Sequence, residues 1–91
     1  MAATELIADG TTLANSADFT LVGTTARTLY LRYTPGTTSP VRYYIQHKNS
    51  DGTYTTSIIL KPADAPMTLF GTGVFRAQRQ PSAQSSALDI D

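Results

Sequence analysis

The chain has no cysteine and little charge, with seven Lys and Arg set against seven Asp and Glu in 91 residues, so its formal net charge is zero. Without cysteine it forms neither disulfides nor thiolate metal sites, and a fold this small must draw any extra stability from packing or from partner subunits. Charged residues at 15% and a zero balance argue against a polybasic nucleic-acid binder held by phosphate neutralisation. No run approaches the roughly 18 consecutive apolar residues of a membrane span, and "MAATELIADG" lacks the basic patch and apolar run of a signal peptide. These absences lead to the expectation of a soluble protein, made in a cytoplasm and not exported by a signal peptide. Also missing are long windows of Ala, Leu, Glu and Lys at helical spacing.

What is present is threonine, tyrosine and β-branched residues, which suit the pleated, half-buried surface of a sheet. In "RTLYLRYT" Leu29, Leu31 and Tyr33 point one way and Thr28, Tyr30 and Arg32 the other. "VRYYIQHK" repeats the pattern, with Val41, Tyr43 and Ile45 inward and Arg42, Tyr44, Gln46 and Lys48 outward. The turn formers "NSDG" join it to "TYTTSIIL", in which Tyr54, Thr56, Ile58 and Leu60 share one face and Ile59 takes the other. Shorter strands are predicted at "TELIA", "DFTLV", "MTLF" and "VFRAQR", with "KPADAP" as a proline-stiffened connection. Seven short strands predict an all-β fold, a small antiparallel sandwich or barrel. Residues 1–80 read as a single β domain with a short N-terminal arm. Beyond Pro81 the chain turns small and polar, so 81–91 reads as a flexible C-terminal tail.

The candidate chemistry is thin. Gly71-Thr72-Gly73 has Arg76 where a dinucleotide fingerprint needs its third glycine, and no Gly-Lys-Ser/Thr follows, so it reads as a bend between strands. His47 is the lone histidine and stands without a ligand cluster or an oriented nucleophile. "NSDG" lacks the distal acidic ligand of a calcium loop. Glu5, Asp9, Asp18, Asp51, Asp64, Asp89 and Asp91 are scattered rather than paired for glycoside hydrolysis. The reading is therefore non-enzymatic, with no catalytic, metal or cofactor-binding residue and no cofactor. Tyr30, Arg32, Arg42 and Tyr44, outward on two strands, are the first candidates for partner contact.

"ELIADGTTLANSADFTLVG", the Thr/Tyr-rich strands and the closing "LFGTGVFRAQRQ" together resemble small virion proteins of tailed bacteriophages, especially capsid decoration and other head-associated proteins. The resemblance covers most of the chain and is one of style. It implies a β-sandwich or barrel that binds the major capsid protein on the outer head surface, often as a trimer of copies of itself, and reinforces the shell. On that view Ala2, Thr4, Glu5 and Leu6 at one end, and Ala87, Leu88 and Ile90 at the other, belong to arms that order on the capsid or between subunits. Three alternatives stay open: a tail- or baseplate-associated virion protein; a carbohydrate-binding or host-adhesion module using Tyr30, Tyr44 and Tyr54; and a single-strand nucleic-acid binder using Arg32 and Arg42.

Overall fold

The computed structural model describes residues 3–33 and 41–91; Ala2, the first of the expected arm contacts, lies outside them. Among the described residues the strands are β1 (Thr4–Gly10), β2 (Ala14–Asn15), β3 (Phe19–Leu21), β4 (Arg27–Tyr33), β5 (Tyr43–Lys48), β6 (Tyr54–Leu60), β7 (Met67–Leu69), β8 (Gly73–Arg79) and β9 (Ser86–Ile90). They form two antiparallel sheets. Sheet A has the order β1-β9-β4-β7, and sheet B runs β2-β8-β5-β6 with β3 also paired to β8. Ile7, Leu29, Leu69, Leu88 and Ile90 of sheet A meet Phe19, Leu21, Tyr43, Ile45, Leu60 and Ala77 of sheet B in one core. The protein is thus the small all-β sandwich its alternation predicts.

The expected flexible tail is where the structure departs most from the sequence reading. Ser86–Ile90 forms β9 and lies between β1 and β4, with Leu88 opposite both Ile7 and Leu31 and Asp89 opposite both Glu5 and Tyr30. Its side chains alternate in direction, with Ser86, Leu88 and Ile90 entering the core and Asp89 on the opposite face meeting Arg32. Ser86 hydrogen-bonds to the Tyr43 hydroxyl across the core at 2.9 Å, tying the two sheets together. Ala87 is fully buried as well. Ala87, Leu88 and Ile90 therefore serve the fold and are not available as an arm. On the other terminus Thr4–Gly10 is equally committed as the neighbour of β9, and Leu6 packs against the core.

Three smaller corrections have local causes. β2 is a strand not predicted from the sequence, and Ser16 carries the ladder across the break between β2 and β3. Its amide donates to the Ala77 carbonyl at 2.8 Å, and its hydroxyl accepts from the Ala77 amide at 2.9 Å. In "KPADAP" the chain makes a one-turn 3-10 helix, Pro62–Asp64. In β6 the register pairs Ile45 with Ile58 but Gln46 with Thr56, leaving Ser57 as a bulge whose hydroxyl donates to the Ile45 carbonyl at 3.2 Å. One extra residue exchanges faces. Tyr54 and Thr56 therefore share the side of Lys48 and Gln46, while Ile58 and Leu60 share that of Ile45 and Tyr43; the single shared face expected for these four does not form.

Two glycines hold turns that other residues would strain. Gly52 has φ +88° in the hairpin between β5 and β6, with open space around it, whereas Gly73 has φ +132° and a Cβ there would lie 3.0 Å from His47 Nε2. Gly73→Ala should therefore lower the unfolding free energy by about 1–3 kcal/mol, and Gly52→Ala by about 1 kcal/mol, because only the first adds a clash to the backbone strain. Urea midpoints of the two variants check the order; equal losses would show that the His47 contact is soft.

Candidate docking groove

β4 has seven residues and β7 only three, so β7 covers Arg27 to Leu29 and stops. From Tyr30 onward no strand among the described residues pairs with that side of β4. The connection from β6 to β7 runs beside this bare half. Together they enclose a groove of about 230 Å³ lined by Tyr30, Leu31 and Tyr33 from β4 and by Pro62, Ala65 and Pro66 from the connection. Tyr30 and Tyr33 are each 37% exposed. Every lining residue is uncharged, and none is a carboxylate, imidazole or thiol. Aromatic and proline walls beside an open strand edge suit a partner's side chain or extended segment, and supply no acid–base pair.

The remaining contact candidates separate onto different surfaces. Tyr30 and Arg32 belong to sheet A, whereas Arg42 precedes β5 and Tyr44 lies within it, in sheet B. They do not make one continuous face. Arg32 grips Asp89 with two bonds, Nε to Oδ2 at 2.7 Å and Nη2 to Oδ1 at 3.0 Å, and reaches Glu5 Oε2 with Nη2 at 2.8 Å. Hydrogen bonding to Asp89, then to Glu5, raises its pKa further above the ordinary arginine value. Three of its five N–H donors are thereby taken within the fold, and the guanidinium acts as a strap across β1, β9 and β4 rather than a free phosphate ligand.

On sheet B the Tyr54 ring is covered by the Arg76 guanidinium 3.7 Å from its centroid, and Arg76 Nε donates to Gln46 Oε1 at 2.8 Å. The Tyr54 hydroxyl donates to Asp18 Oδ1 at 2.7 Å, and Lys48 pairs with Asp18 Oδ2 at 3.3 Å. The Tyr54 hydrogen bond, helped by Lys48, holds the Asp18 carboxyl below its ordinary range, and the same bond raises the Tyr54 phenol. A ring already stacked on a cation is a poor sugar platform on that face. Tyr30 is thus in a different sheet from Tyr44 and Tyr54, which lie on the adjacent strands β5 and β6.

His47 meets Phe75 edge to face at 5.0 Å between ring centroids. No group of three or more His, Cys, Asp or Glu able to hold a metal ion occurs among the described residues. At "NSDG" Asp51 Oδ1 accepts from the Thr53 amide at 3.0 Å and its hydroxyl at 2.6 Å, which occupies the carboxylate in shaping the turn.

Sequence reasoning picked out Tyr30 but missed Leu31, Tyr33, Pro62, Ala65 and Pro66. The mismatch of length that leaves the groove open, β4 against β7, depends on a pairing that the sequence does not record. Comparison of the chain with known protein families, with curated proteins and with solved structures returns no match.

Proposed function

We propose that this chain is a non-enzymatic structural protein of a tailed-phage virion, a capsid decoration protein that binds the major capsid protein on the outer head surface and stabilises the shell. The observation that carries this reading is the groove along β4, an uncharged recess built for contact. Beside it Arg32 is spent on Asp89 and Glu5, and elsewhere in the molecule Asp18 is spent on Tyr54 and Lys48 and Asp51 on its turn. A small sandwich of this kind contributes by occupying a site in a repeated lattice, where symmetry multiplies modest contacts. Anything that binds only the assembled, folded state also stabilises it. A tail- or baseplate-associated protein would share these features and differ only in its place on the particle.

The test is cosedimentation of the purified protein with phage heads lacking their outer decoration, and separately with isolated tails. Saturable binding to heads that raises their temperature of disruption is the expected result. Binding should change little with added salt, since the groove is uncharged, whereas a nucleic-acid binder would lose affinity steeply. Binding to tails alone would move the protein to the other end of the virion, and binding to neither would end the proposal.

A further inference from the structure

We infer that the groove along β4 receives Phe70 of a second copy of this chain, so that copies join head to tail. The inference rests on the reading of the chain as an assembly protein and names the groove's occupant.

Phe70 is 80% exposed, the largest exposure among the large hydrophobic side chains of the described residues. It follows β7 directly and is presented by Gly71 and Gly73, whose φ of +145° and +132° set a loop shape that other residues do not adopt readily. That loop rests on the turn after β3: a Cβ on Gly23 would come within 3.0 Å of Thr72 Oγ1. The same turn carries Val22, 50% exposed. The result is a projecting apolar tip whose two loops, Val22 to Thr25 and Phe70 to Gly73, contain no charged residue.

The groove matches this tip in chemistry and lies where its own Phe70 does not reach. Leu69 pairs with Arg27 at one end of β4, and Tyr33 stands at the other. Steps of about 3.3 Å place Leu69 roughly 10 Å from Tyr30 at the near wall and roughly 20 Å from Tyr33 at the far wall, and the chain leads on from Phe70 away from both. At about 230 Å³ the groove is smaller than the roughly 300–1,000 Å³ of drug-sized ligand sites, and suits one aromatic side chain. Tyr and Pro walls offer a Phe ring the offset and edge-to-face contacts it favours. Neither surface is charged and the chain has no net charge, so no electrostatic repulsion opposes the approach of copies.

A knob and a socket at different places along the β4–β7 edge make a heterologous contact. A buried Phe contributes about 150–250 Å², far less than the roughly 1,200–2,000 Å² of a standard interface. A single pair is therefore weak, and a closed ring, in which every knob and every socket is filled, is the stable form. Placement side by side on a lattice raises the effective concentration and favours the same closure.

Light scattering and sedimentation from low to high micromolar concentration test this with the wild-type chain, Phe70→Ser and Tyr33→Ser. Both side chains are exposed, and circular dichroism confirms that the variants fold. The wild type should gain mass with concentration, while each variant alone should associate at least about thirtyfold more weakly, the loss of a central aromatic anchor. An equimolar mixture of the two should form at most a weakly held heterodimer and nothing larger, because only one knob and one socket remain intact and no ring can close. A wild type that stays monomeric, a Phe70→Ser or Tyr33→Ser variant that associates normally, or a mixture that assembles beyond a heterodimer would each overturn the inference. Head binding without self-association sinks this inference alone. Self-association of the stated pattern without head binding sinks the virion reading and leaves the knob and socket standing.

Discussion

Deleting Ser82 to Asp91 will abolish the fold. The deletion removes β9, which is the partner of both β1 and β4, and so cuts sheet A into an isolated strand and a β4–β7 pair. It takes Leu88 and Ile90 out of the core, at about 1.5–3 kcal/mol for each fully buried side chain. It also strands the Tyr43 hydroxyl, a buried polar group that has Ser86 as its partner. Small domains have total stabilities of about 5–15 kcal/mol, so these losses together leave no folded state to populate. The truncated chain should show no cooperative urea transition and no near-ultraviolet circular dichroism. A cooperative melt with an unchanged m-value would mean that the remaining strands form a complete core without β9.

Replacement of Arg79 should have the next largest effect. Arg79 is 4% exposed and its guanidinium spans both sheets and a loop: Nη1 donates to the Ala8 carbonyl at 2.6 Å and the Ser86 carbonyl at 2.9 Å, while Nε donates to the Thr12 carbonyl at 2.8 Å. Gly10 leaves the room for it, since a Cβ there would lie 2.7 Å from Arg79 Nη2. Arg79→Met retains much of the volume but leaves three carbonyls without their donor. Charge-assisted hydrogen bonds contribute about 1.5–3 kcal/mol each, and loss of the set is expected to cost on the order of 3 kcal/mol or more. Arg79→Lys should recover only part, because an ammonium is a point charge and cannot reproduce the planar fork. Urea unfolding of both variants decides the matter; a Met variant within 1 kcal/mol of wild type would show that water replaces the guanidinium.

The strands legible in the sequence were those whose neighbours in space are neighbours in the chain or whose alternation is long. Leu29, Tyr43 and Ile45 announce buried faces by period, and "NSDG" announces the hairpin that joins β5 to β6. β9 also alternates, with Ser86, Leu88 and Ile90 inward, but five residues with two large apolar side chains look too sparse to be ordered. What makes them a central strand is β1, more than seventy residues away, and β4, more than fifty away, and no local pattern records such pairings. The bulge at Ser57 was invisible for the opposite reason: a single extra residue changes face without changing composition. The groove is an outcome of both kinds of information, since it exists where one strand outlasts its neighbour and a distant proline-rich connection closes the side.

The position of β9 also governs when this protein can fold. Sheet A stays open until Ile90 has been made, because β1 and β4 have no partner in common before then. At about 5–20 residues per second the ribosome needs roughly 4–17 s to travel from Glu5 to Ile90. During that time the first strand waits with both of its hydrogen-bonding edges bare, long after a hairpin such as β5–β6 could have formed in microseconds. Completion of sheet A is therefore a late event that waits on Ile90, and the growing chain depends on its sparse hydrophobicity and interspersed threonines to stay free of its neighbours until β9 arrives.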